Sequence, residues 1–223
     1  MCPAGTVSQV TVQRIRIAGD PVLHTPARRV ETFDAELRAL VADMFETMYV
    51  AEGVGLAANQ IGVALRVFVY DCSDADGGWH IGTVVNPTVH ATEFEDNGDE
   101  GCLSVPGERF LTVRGTHATV TGFDLDGNAI TVHGTGTLAR CFQHETDHLD
   151  GLLYLDRLTG EPADEAKQML LTRGWGVPGR SWQPEPPESF TGPVIDRTTV
   201  LLGGTRERGP IAAPLPGDGA AVG

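Results

Sequence analysis

The chain has 223 residues, 41% of them hydrophobic, enough for one globular unit with a tail or at most two small domains. Its formal net charge of −14 gives a polyanion nothing to be drawn to on average, which argues against nucleic acid as substrate or general partner. No apolar run of about 18 residues occurs, so no membrane span is expected.

The N-terminus, Met1-Cys2-Pro3-Ala4-Gly5, lacks the basic and apolar regions of a secretory signal. Cys2, Cys72, Cys102 and Cys141 form no C-x-x-C pair and no dense framework. A reducing cytoplasm is the expected setting, since a lone thiolate survives there.

Residues 10–17 alternate apolar and polar, predicting a strand that Gly19-Asp20-Pro21 breaks. Leu37, Leu40, Val41, Met44, Phe45 and Met48 recur at three- and four-residue steps. They predict a helix over residues 32–50, capped by Thr32 or Asp34 and ended by Gly53, with the Met and Phe stripe packed in the core. Strands are predicted at 65–70, 82–85, 88–91, 110–113, 117–123 and 130–132, with a polar turn over 73–78. Asp126-Gly127 is a hairpin signal between the last two strands. The acidic stretch 93–100 reads as a solvated loop.

A second helix is predicted from Thr137 to near Gly151, and a short one over 164–171. Eight of the fourteen prolines follow Gly174. The expected organisation is an ordered unit over 1–174 and an irregular Pro/Gly-rich tail over 175–223, its last ~15 residues disordered. The fold class is α+β: antiparallel strands packed around the second helix, an N-terminal helix, and the irregular tail.

That second helix carries His144-Glu145-Thr146-Asp147-His148. Residues four apart share a helix face, so two imidazoles can grip one metal ion beside a carboxylate, a layout suited to hydrolysis. The competing reading is two ordinary histidines on an amphipathic helix. A catalytic metal usually needs a third protein ligand. The extended pattern of zinc endopeptidases finds Gly151 in place but Tyr154 where its third histidine would stand. Glu161 and Glu165 are available downstream, on a polar helix face.

Upstream, Glu100-Gly101-Cys102-Leu103-Ser104 offers a thiolate, with Gly101 allowing close backbone approach. Cys141, one turn before His144, also permits a closed Cys2His2 structural zinc site with Cys102. Gly53-x-Gly55-x-x-Ala58 looks like a relaxed dinucleotide fingerprint. A helix precedes it and a strand follows, the reverse of that motif, so nucleotide binding is not expected.

Three segments together resemble the peptide deformylase family: Gly53-x-Gly55-Leu-Ala-Ala-x-Gln60, Glu100-Gly101-Cys102-Leu103-Ser104, and Gln143-His144-Glu145-x-x-His148-Leu149. The resemblance spans residues 15–158. It implies removal of the formyl group from the N-terminal formylmethionine of new polypeptides, with release of formate. It implies one divalent metal per chain, natively Fe(II), held by Cys102, His144 and His148; zinc, nickel or cobalt suit the same donors.

Glu145 is then the general base and acid. The Gln60 side chain and the Leu103 N–H donate to the developing oxyanion. Val54, Gly55, Gly101 and Arg109 contact substrate. The implied partners are N-formylated nascent polypeptides, with room for a transient ribosome contact, no nucleic-acid substrate and no membrane. Arg140, one turn before His144, faces either the pocket or solvent. A zinc-type peptidase using the same helix is the alternative function.

Overall fold

Asp34 starts the first helix. Its carboxylate accepts from the N–H groups of Glu36 and Leu37, and α1 runs Ala35–Val50 behind that cap. The structure is a computed structural model that describes residues 11–92, 95–186 and 206–208. Strand β1 is Ile15–Arg16, shorter than the alternation over 10–17 suggests; residue 10 lies outside the described residues.

After α1 come β2 (Gly55–Ala57), β3 (Val67–Ser73), β4 (Trp79–Ala91), β5 (Glu95–Cys102), β6 (Val105–Gly115), β7 (His117–Phe123) and β8 (Ala129–Thr135). Then follow α2 (Gly136–Leu149), α3 (Glu161–Arg173), β9 (Ser181–Trp182) and β10 (Arg206–Arg208).

The main sheet is antiparallel in the order β2-β3-β4-β7-β8, with β10 added beside β4. Alternation along β3 sorts its core contacts. Val67 and Val69 join Leu37, Val41, Met44, Phe45 and Met48 of α1 in one apolar cluster. Phe68 and Tyr70 join Leu138, Cys141, Phe142 and Leu149 of α2 in another. Strand β3 is thus buried on both faces, and residues 67–70 read as an unbroken apolar run.

The expected α+β class with antiparallel strands stands. Its boundaries differ where local chemistry misleads. Residues 82–85 and 88–91 belong to one strand, β4. Pro87 cannot donate to a ladder, and the strand absorbs it with a register shift between Val85 and Thr88. Asn86 there takes a φ of 52°, and its side-chain amide bonds both the N–H and the C=O of Val30. The predicted hairpin at Asp126-Gly127 forms between β7 and β8, with Asp124 accepting from the N–H groups of Asp126 and Asn128 and Gly127 at a φ of 81°.

The loop expected over 93–100 is corrected from residue 95 onward; residues 93 and 94 lie outside the described residues. Residues 95–102 are β5, paired antiparallel with β6 in a separate two-stranded sheet. The chain beyond α3 also stays with the body. Gly176 N–H donates to Ala18 O at 2.9 Å, and β9 pairs with β1. Residues 187–205 and 209–223, including the stretch expected to be disordered, lie outside the described residues. Among the described residues, no helix is long and apolar enough to cross a membrane.

Candidate metal centre

Helix α2 sets His144 above His148 on one face, and the end of β5 delivers Cys102 to them. Cys102 Sγ lies 3.2 Å from His148 Nε2, which lies 3.2 Å from His144 Nε2. The three donor atoms all fall within 4.8 Å of one another, and all three residues are buried. Metal–ligand bonds of about 2.0–2.3 Å in a tetrahedral site separate donors by roughly 3.5 Å, so the cluster has the dimensions of a mononuclear centre.

Glu100 closes the centre from behind. Its Oε1 lies 2.6 Å from His144 Nδ1, which directs Nε2 toward Cys102 and His148. The same carboxylate accepts from Arg114 at 2.6 and 3.1 Å and from Arg140 at 2.8 Å. Burial alone would raise its pKa. The bonds and charges of His144 and Arg114 overcome that and hold the carboxyl far below the usual range. Arg114 continues to Asp147 at 2.6 Å, and Arg157 reaches the same carboxylate at 3.0 Å.

Arg140 meets neither expectation. It faces neither pocket nor solvent, being 9% exposed and bonded to Glu100 and to the Thr112 carbonyl.

Glu145 is fully buried, and neither of its carboxylate oxygens has a hydrogen-bond partner. Burial, with some help from the Glu100 charge, pushes its pKa up to about 8 against the opposing pull of His144 and Arg114. An unsatisfied buried carboxylate is costly, and such groups mark functional sites. A Cβ on Gly55 would sit 2.4 Å from Glu145 Oε1 and 2.7 Å from Cys141 Sγ, so only glycine fits between strand and carboxylate.

Gln60 lies in the turn Ala58–Ile61 that follows β2. Its Oε1 accepts from Ala57 N–H at 2.8 Å, which orients Nε2 toward Ser104 Oγ (3.3 Å) and Cys102 Sγ (3.7 Å). Leu103 follows Cys102 directly and is buried; a Cβ on Gly53 would meet its side chain at 2.8 Å. Val54 O accepts from Asp71 N–H at 2.9 Å. Gly101 pairs across the β5–β6 hairpin with Arg109, which is half-buried and bonded to Asp99. The cluster therefore gathers Cys102, His144, His148, Glu145, Gln60, Leu103, Gly55 and Gly101 closely, with Val54 and Arg109 at its margin.

Glu161 and Glu165 are exposed on α3 and outside the donor cluster, which removes them as ligands. Tyr154 stacks its ring against His144 at 6.0 Å and donates to Glu108 O. Cys141 is absent from the donor cluster, and its Sγ lies 3.8 Å from Val54 O. The closed Cys2His2 site does not form. Cys141→Ser is accordingly expected to retain a full complement of metal, read by metal analysis of the folded variant; loss of the metal would reinstate the closed site.

Sequence reasoning missed Arg114, Asp147 and Asn59, whose side-chain amide donates to His148 O. Asp147 had a signal, its place inside the motif. Arg114 had none, since its partners are 14 and 33 residues away.

A buried three-donor cluster beside an unpaired carboxylate is the arrangement of a metal-dependent hydrolase. The family model for polypeptide deformylase matches residues 12–163. A peptide deformylase from Mycolicibacterium paratuberculosis is 54% identical over 195 residues, covering 81% of this chain and 99% of that protein. A crystal structure of a peptide deformylase from Ehrlichia chaffeensis matches with a TM-score of 0.66 at 34% identity, covering 74% of this chain and 97% of that one. Another, from Synechococcus elongatus in complex with actinonin, has a TM-score of 0.66 at 32% identity and covers 80% of this chain and 97% of that one. The chain belongs to the polypeptide deformylase family.

Proposed function

We propose that this enzyme hydrolyses the formamide at the N-terminal formylmethionine of newly made polypeptides, releasing formate and a free amino terminus. The observation that carries the reading is Glu145, buried without a partner beside the Cys102–His144–His148 cluster. These three residues would hold one divalent metal, natively Fe(II); a thiolate with two imidazoles also suits zinc, nickel and cobalt. When bound, the metal supplies Lewis acidity, lowering the pKa of water and polarising the formyl oxygen.

The remaining work falls to the chain. Glu145 accepts a proton from the attacking water and passes it to the leaving nitrogen. Gln60 Nε2 and the Leu103 N–H donate to the formyl oxygen as negative charge develops there; each such donor is typically worth about 3–4 kcal/mol of barrier. Strand β2 closes one end of the sheet order. Because Val54 O turns toward β3, the backbone groups of Gly55 turn to the other edge, where an extended substrate can pair. Val54, Gly101 and Arg109 line the approach.

The reading assigns catalysis to residues 1–174 and treats 175–223 as an appended tail. It places the enzyme in the cytoplasm, where Cys102 stays reduced. Any ribosome contact would be transient and would not use a basic C-terminal helix, since the tail carries four arginines against five acids.

The test is formate release from formyl-Met-Ala-Ser, assayed anaerobically with Fe(II) and then with nickel. Turnover with either metal is expected. Cleavage of an internal peptide bond without formate would move the assignment to a zinc-type peptidase.

A further inference from the structure

The chain beyond α3 returns across β1 to the back of the metal centre. Ile17 N–H donates to Arg180 O at 3.0 Å, β9 pairs with β1, and Trp182 packs between two apolar clusters. From there Trp182 Nε1 donates to the carbonyl of Leu103 at 2.9 Å. That carbonyl and the Ser104 N–H are the two ends of one peptide unit. The Ser104 N–H donates to Cys102 Sγ at 3.3 Å. The next carbonyl, that of Ser104, accepts from Ala18 N–H at 2.9 Å. The turn carrying the thiolate is thus held on two successive carbonyls, one by the returning segment and one by the residues that follow β1.

A peptide unit is planar, so fixing its C=O direction fixes its N–H direction. A hydrogen bond accepted at the oxygen also polarises the N–H and strengthens what it donates. We propose that Trp182 is a positioning residue for the Cys102 thiolate: through the Leu103–Ser104 amide it aims and strengthens the N–H···S bond that draws electron density from the sulfur. The inference rests on the reading of Cys102 as a metal ligand. It gives part of the Pro/Gly-rich segment a task, since hydrogen bonds to a ligating sulfur tune the metal it holds.

The test loads full-length protein, Trp182→Phe and Arg14→Ala with cobalt(II) and records the thiolate-to-cobalt charge-transfer band. Phe keeps the ring and removes the N–H. Arg14→Ala removes a bond from the same returning segment, to Ser181 Oγ at 3.1 Å, without touching Leu103. A weaker N–H···S bond leaves the sulfur easier to oxidise, so the band in Trp182→Phe is expected at lower energy. The Arg14→Ala band should match the parent. An unmoved band in Trp182→Phe overturns the proposal, as does an equal shift in both variants, which would reduce Trp182 to general docking of the segment. A parent protein that binds cobalt without any such band would instead overturn Cys102 as a ligand.

Discussion

Glu145→Gln is expected to lower formate release by roughly 10²–10⁴-fold while metal content stays at the parent level. The amide is close in shape to the carboxylate and leaves His144 and His148 where they are. It removes the one group at the cluster that can accept a proton and later return it. The buried carboxylate has no hydrogen-bond partner, so a neutral amide is no harder to bury. Loss of activity should therefore come without loss of thermal stability, which separates a chemical role from a structural one. Activity within a few-fold of the parent would end the assignment of Glu145 as the base.

Glu100→Gln should act through the opposite route. The carboxylate is fully buried and shared by His144, Arg114 and Arg140. Removing its charge leaves two buried guanidinium groups with their main counter-charge gone, although Asp147 still pairs with Arg114. Breaking a buried pair from one side costs about 3–5 kcal/mol. For a chain of this size that lowers Tm by on the order of 10 °C. His144 also loses the anchor that orients its ring, so metal affinity should fall about 10–100-fold. Calorimetry and metal titration read the two effects separately. A variant with parent-like Tm and affinity would show that the Glu100 network does not support the centre.

The motif helix was legible because its signal is local: the histidine spacing and the helical period lie within fourteen residues of α2. Cys102 was not legible that way. It stands 42 residues before His144, and spacing left it level with other ligands until the three deformylase-like segments were taken together. Glu100 shows why acidic stretches mislead. The residues before it in β5 are mostly exposed, as composition suggests. Glu100 itself is buried because Arg114 and Arg140 arrive from 14 and 40 residues away to meet it. Composition counts charges but does not pair them. Arg140 misleads for the same reason, since its partner Glu100 lies in a stretch whose composition suggests a loop. The returning segment was hidden by its prolines and glycines. Among what binds it are backbone pairing with β1 and an indole N–H, and neither leaves a compositional trace.

On the proposed reading, one sulfur and two imidazoles from Cys102, His144 and His148 hold the metal. X-ray absorption of the nickel-loaded enzyme, compared with Cys102→Ser, tests it most directly. A single sulfur scatterer alongside two imidazoles is expected in the parent, with the sulfur lost in the variant. A parent spectrum with only nitrogen and oxygen neighbours, or with a second sulfur from Cys141, would contradict it.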